Sequence, residues 1–198
     1  MFEARDYLKH KLEIDHRDDG EMVLSSGLAL DPVVRNTGEW LHRWAAETPD
    51  AVFLAERSGP GWNELKYGEA LAQVQAVAAG LLDHGVGPGE KIIILSGPGL
   101  EHGVLKLAAQ YIGAVTVPVA EQYSLIPDAL PRLIHIAEKV RPAMVFANDA
   151  DRFAAGLALP QFEGCVKVTC GPAGAGMVGW DRLFAGTADI SAARDAVG

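Results

Sequence analysis

KIIILSGPGLEHGVLKLAAQYIGAVTVPVA, residues 91–120, carries the pattern that sets the fold. KIIILSG (91–97) is continuously apolar between Lys91 and Ser96 and rich in β-branched Ile, so it reads as a strand buried on both faces. Ser96-Gly97-Pro98-Gly99 then turns the chain, residues 100–112 have helical spacing, and VTVPVA (115–120) is a second strand. Strand, helix and strand in close succession make a βαβ unit, with parallel strands and a right-handed crossover.

The alternation continues downstream. A helix is expected over 128–140, broken early by Pro131, then a strand at AMVFAN (143–148) and a short helix near 150–157. CVKVTC (165–170) is a further strand, and WDRLFAG (180–186) ends a last short helix. Upstream, GEALAQVQAVAAGLLDH (68–84) is a long helix rich in Ala and Leu, with Leu71, Val74, Ala78, Leu81 and Leu82 on its buried stripe. Gly85, Gly87 and Gly89 stop it. AVFLAER (51–57) and WNELKY (62–67) flank SGPG as a hairpin. A first helix starts at Asn36, where Asn36 and Glu39 have capping-box spacing. Trp40, Leu41, Trp44 and Ala45 form its apolar face, and Thr48-Pro49-Asp50 ends it. Residues 1–35 are an irregular lead-in, where HKLEID and EMVLSS can pair as short strands about a turn at Asp19-Gly20. The expected class is α/β: a doubly wound, mostly parallel sheet with flanking helices over 36–198.

Composition excludes several functions. A net charge of −9 and a pI near 5.1 lack the basic footprint of a nucleic-acid binder. No apolar run approaches the roughly 18 residues of a membrane span. The opening MFEARDYLKHKLEIDHRDDGE has no apolar export core, so a cytoplasmic protein is expected. Cys165 and Cys170 lack zinc-site spacing, and five residues apart on a strand they face opposite ways, as two small half-buried apolar groups. No metal site is expected. The six histidines, at 10, 16, 42, 84, 102 and 135, form no H-E-x-x-H pattern and no visible nucleophile–base pair.

Three loops can bear ligands. Gly174, Gly176 and Gly179 spell G-x-G-x-x-G after a strand, but no long helix and acidic-tipped strand follow, so a flexible loop is the plainer reading. Ser96 and Gly97 lie at a strand end, where open α/β sheets bind ligands, although Pro98 donates no amide and no Lys-Ser follows. VPVAEQYSL (117–125) leaves the next strand end and offers Glu121, Gln122, Tyr123 and Ser124, which with Ser96 can line a cleft. Ser96, Gly97, Tyr123 and Ser124 are the candidate substrate-pocket residues.

The order of these segments resembles the AMP-forming acyl-CoA synthetases, an adenylate-forming family. The likeness rests on NTGEWLHRWAAETPDAVFLAER, LKYGEALAQVQAVAAGLLDHGVGPGEKIIILSG, LKLAAQYIGAVTVPVAEQYSL and VRPAMVFAND, over about 36–150. Tyr67 and Glu69 match the family's segment opening the long helix. Gly87 and Gly89 match its glycine turn, and Ile112-Gly113-Ala114 with Pro118 its helix–strand piece. FLAER, ILSG and YSL look most like bacterial feruloyl-CoA synthetases, which activate hydroxycinnamic acids. Ala120-Glu121-Gln122 and Pro98-Gly99 depart from that pattern.

The resemblance implies an N-terminal part of an acid–CoA ligase. Such a parent forms an acyl-adenylate from an aromatic acid and ATP with Mg²⁺, and then acyl-CoA. It implies that the phosphate loop and the catalytic Lys lie past Gly198, in the remainder of the synthetase, so no catalytic residue and no cofactor site is expected in this chain. Arg152 is the candidate CoA contact. Half a domain should also expose an apolar face, through which two copies can pair as a homodimer. Two alternatives stay open: a stand-alone CoA- or protein-binding module, and, on GAGMVG, an NAD(P)-binding oxidoreductase domain.

Overall fold

A computed structural model of the protein describes residues 11–30 and 32–198. His10, at the head of the first expected strand, lies outside them. The chain divides into two compact units, Met1–Val34 and Arg35–Gly198.

The first unit holds the hairpin β1 (Leu12–His16) and β2 (Met22–Ser26), paired antiparallel with Ile14 opposite Leu24 and His16 opposite Met22. Gly20 turns the chain with φ +85°, a conformation that suits glycine. Leu12, Ile14, Met22 and Leu24 share one face of this ribbon and are all exposed.

The second unit opens with α1 (Thr37–Glu47), the antiparallel hairpin β3 (Val52–Ser58) and β4 (Gly61–Lys66), and the long helix α2 (Tyr67–Asp83). Then come β5 (Lys91–Leu95), α3 (Leu100–Tyr111), β6 (Val115–Pro118), α4 (Gln122–Leu125), α5 (Leu130–Val140) and β7 (Met144–Ala147). The unit ends with α6 (Ala154–Leu157), β8 (Val166–Thr169), β9 (Val178–Gly179), α7 (Trp180–Leu183) and α8 (Ser191–Asp195). The five strands β6-β5-β7-β8-β9 form one wholly parallel sheet.

Period-two alternation divides the strand side chains between two cores. Ile92, Ile94, Met144, Phe146 and Val168 join α2 and α3 on one face. Ile93, Leu95, Val145 and Ala147 join α5 and α6 on the other. Burying each such Leu or Ile contributes roughly 1.5–3 kcal/mol, so both faces of each central strand have to be covered. That is why these strands are apolar throughout.

Four local expectations need correction. Asn36 does not cap α1 with its side chain; its Nδ2 donates to the Val197 carbonyl at 3.1 Å, and Glu39 Oε2 accepts from the Arg35 amide at 2.9 Å. Pro131 does not break a helix. It sits in the first turn of α5, where its missing N–H leaves no bond unmade. Residues 122–125 form the helix α4 instead of an open polar loop. The glycine-rich stretch 171–179 ends as a strand, because Val178 and Gly179 pair with Val168 and Thr169.

No helix among the described residues is long and apolar enough to cross a membrane.

Candidate functional site

The chain winds from β5 to β6 on one side, then crosses to β7 on the other. This reversal lies at the carboxyl ends of β5 and β7, the place where open α/β sheets take ligands. Residues 96–99 follow β5 there, residues 148–153 follow β7, and Glu121, after β6, lies close to Gly97 and Arg152.

Ser96 is buried, and its Oγ lies 2.9 Å from His102 Nδ1. The same nitrogen lies 3.1 Å from the Gly97 carbonyl. A carbonyl only accepts, so an Nδ1–H is the donor to it. Gly97 lies close to Glu121: a Cβ there would sit 3.0 Å from Glu121 Oε1. At Gly99 the corresponding Cβ would lie 3.2 Å from Glu56 Oε2.

Glu56 does more than crowd. Its Oε2 accepts from the Leu100 amide at 3.0 Å, so a β3 carboxylate caps the N-terminus of α3. A carboxylate suits that end, where free amides and the helix dipole favour negative charge. The same amides are what a phosphate would use. Glu121 is committed as well, with Oε2 3.1 Å from the Arg152 guanidinium. Arg152 also donates its amide to Asp149 Oδ1 at 2.9 Å.

The five residues read from the sequence therefore separate. Ser96 and Gly97 meet at the mouth with His102, and Arg152 joins them through Glu121. Tyr123 instead packs on the second core, with the Arg132 guanidinium 5.5 Å from its ring centre. Ser124 is buried, and its Oγ finds no partner; a Cβ on Gly156 would lie 2.6 Å from it, so that glycine leaves the room it fills. Glu121, one of the polar groups the sequence placed at this strand mouth, does reach it, whereas Glu56 and His102 were not read as site residues. The six-residue spacing of Ser96 and His102 across a βα turn is a usable signal. Glu56 lies 44 residues from the amide it caps and leaves none.

Electrostatics at the mouth are anionic. The Cys170 thiol is pushed up to about 12, first by burial and then by the charges of Glu101 and Glu56. A nucleotide or CoA phosphate entering here would have to displace Glu56 from the α3 amide. The Arg152–Glu121 pair is half exposed and contributes about 0–1 kcal/mol, so Arg152 can exchange partners at small cost.

A larger cavity, about 800 Å³, opens beyond β7 and β8, with Asp149, Asp151, Lys167, Cys170 and Gly174 among its lining. Lys167 Nζ donates to the Leu157 carbonyl at 2.7 Å, which ties its charge down. Gly174 edges this cavity, Gly176 has φ +76°, and Gly179 belongs to β9. The four-residue α7 follows, and no strand comes after it among the described residues, so the run does not build a dinucleotide-binding βαβ unit. Cys165 and Cys170 do face opposite cores.

Comparison with known proteins fits this architecture. The AMP-binding enzyme family pattern matches residues 41–176. A long-chain-fatty-acid–CoA ligase of Mycobacterium bovis is 35% identical over 78 residues, which are 39% of this chain and 13% of that ligase. An uncharacterised protein of Mycobacterium tuberculosis is 30% identical over 138 residues, covering 66% of this chain and 75% of that protein. Among solved structures, the N-terminal subdomain of Klebsiella oxytoca NpsA, in complex with 3-hydroxyanthranilyl-AMSN, superposes with a TM-score of 0.55 at 18% identity. It covers 77% of this chain and 33% of that one. The chain thus spans only a small part of the curated ligase it matches, and the fold is that of an adenylate-forming N-terminal subdomain. The family pattern takes in most of the second unit, and this chain belongs to the AMP-binding enzyme family.

Proposed function

We propose that this chain supplies one wall of the substrate cleft of an acid–CoA ligase, and that residues outside it grip ATP, Mg²⁺ and CoA. The observation that carries this reading is the Glu56 cap on α3: the best-placed amides for a phosphate are already bonded to the protein's own carboxylate. The strand mouth can shape and orient an acid, with Ser96, Gly97 and His102 beside it. It offers no ready grip for phosphate.

In such a ligase the acid carboxylate attacks the α-phosphate of ATP, pyrophosphate leaves, and CoA thiol then displaces AMP. By itself the chain is expected to be inactive. The test is pyrophosphate release by pure protein with ATP, Mg²⁺ and a panel of acids. Turnover above a floor of about 10⁻³ s⁻¹ defeats the proposal. Within that panel the hydroxycinnamates, ferulate among them, are the proposed acids, on the FLAER, ILSG and YSL segments; the fatty-acid ligase named above makes long-chain acids the necessary comparison. The remainder of the synthetase is the proposed partner, and the reading frame after Gly198 tests it: a Ser/Thr/Gly-rich loop with Lys supports it. Pairing of two copies through exposed apolar surface is part of the same proposal, and light scattering that shows a monomer at high concentration removes that part.

A second reading is favoured by one observation. The mycobacterial relative of no assigned role is itself short enough that the match spans 75% of it. A stand-alone module that binds CoA or a protein then follows. Titration calorimetry with CoA, ATP and NAD separately divides the readings: CoA binding by the pure chain favours the module, and silence with all three favours the ligase wall.

A further inference from the structure

The polar groups at the strand mouth satisfy one another. A groove beside α1 behaves differently. Trp40 and Trp44 stand one turn apart on α1 and form one wall. Phe53 of β3 and Tyr67 at the start of α2 form another, their ring centres 4.7 Å apart, and Trp44 lies 6.3 Å from Tyr67. The rings are tilted by 32–36°, not stacked flat. They enclose about 460 Å³, a volume in the range that accepts a small molecule. Trp40 remains 49% exposed, so this apolar surface has a free side.

Charge at the groove is one-sided. Arg43 lines it, with its guanidinium 4.6 Å over the Trp44 ring, and it makes no ion pair with any described residue. Among the described residues no carboxylate lines the groove. Thr37 donates its hydroxyl to Gln110 Oε1 at 3.2 Å, which fixes that amide and leaves its NH₂ for a guest. Aromatic walls, one unopposed cation and one spare donor together describe a particular guest.

We propose that this groove binds a small planar aromatic anion, with its ring between Trp40 and Tyr67 and its acid group on Arg43. The proposal is independent of the ligase reading, since none of these residues touches the strand mouth. A second copy of the chain or an alkyl chain would need the rings but not the cation.

Calorimetry and tryptophan fluorescence with 2-naphthoate, against the neutral 2-naphthalenemethanol, test it. One naphthoate per chain is expected, with Kd on the order of 100 µM for a ligand of this size. Arg43→Gln should weaken naphthoate about tenfold, as loss of a charge-assisted bond does, and leave the alcohol within about twofold. Trp40→Ala should weaken both. Both positions are exposed, and urea midpoints matching the parent protein confirm that each variant folds. No saturation below about 5 mM overturns the proposal. So does an Arg43→Gln effect equal for acid and alcohol, or a dimer by light scattering that Trp40→Ala dissociates.

Discussion

The two faces of the parallel sheet are filled by different means. Beneath α2 and α3 small residues are set among larger ones: Ala70, Ala78, Ala108 and Ala109 are fully buried beside Leu81, Leu105 and Phe146. Small residues let backbones approach, and at Gly80 they nearly touch; a Cβ there would lie 2.2 Å from the Leu183 carbonyl of α7. Beneath α5 and α6 two further rings, Phe153 and Phe162, are fully buried and not contributed by the strands. The close approach at Gly80 should therefore resist additions and the two rings should resist removals, although the same strands serve both faces.

The largest expected effect is on the face of the two rings. Phe162→Ala deletes a fully buried ring and should cost about 3–5 kcal/mol, seen as a lower urea midpoint with unchanged slope. A loss under about 1 kcal/mol would mean that the face collapses around the gap and is not held by filling.

Gly80→Ala comes next and sharpens the contrast. Alanine in a helix gains about 1 kcal/mol over glycine by propensity alone. Here the new methyl meets a backbone carbonyl and not a flexible side chain, so overpacking of about 1–3 kcal/mol or more should win. Gly103→Ala on α3 is the control, because its Cβ would meet only the end of the Leu54 side chain, at 2.8 Å. That substitution should be near neutral or stabilising. If Gly80→Ala also stabilises, α7 is free to move away, and the account of this face is wrong.

The large-scale fold was legible because burial on two faces forces an apolar run, and KIIIL and AMVFA can be little else. Helix α2 was legible through the spacing of Val74, Ala78 and Leu81. What was hidden depends on partners distant in sequence. Asn36 has the composition of a cap, but the Val197 carbonyl, 161 residues on, takes its amide. Val178 and Gly179 form a strand only because Val168 and Thr169 present an open edge. At the site, the residue types at 96, 97, 121 and 152 were visible, whereas the Glu56 carboxylate was not, since it arrives from β3, 44 residues from the amide it caps. The α1 groove was half visible: Trp40 and Trp44 showed an apolar face, but nothing local told whether another element covers it.

The smallest effect uses the two cysteines, one on each face. Burial raises both thiols; Lys167 opposes the rise at Cys165, while Glu101 and Glu56 add to it at Cys170, which reaches about 12. Cys165 should therefore react faster with a disulfide reagent near pH 8.5, where reactivity follows thiolate fraction. For stability the direction is fixed by linkage. Below the ordinary thiol value of 9.0, folded and unfolded chains both hold the Cys170 proton, and its contribution is constant. Between 9.0 and about 12 the unfolded chain releases the proton while the folded chain keeps it, so stability falls as pH rises. Tyrosines and lysines titrate in the same window, so the readout is the difference between parent and Cys170→Ala urea midpoints at pH 8 and pH 10.5. The parent should lose more on going alkaline, and Glu56→Gln should shrink the gap by removing one of the charges that hold the proton on. An equal loss in parent and Cys170→Ala would place Cys170 in solvent, and the anionic character assigned to the strand mouth would lose its support.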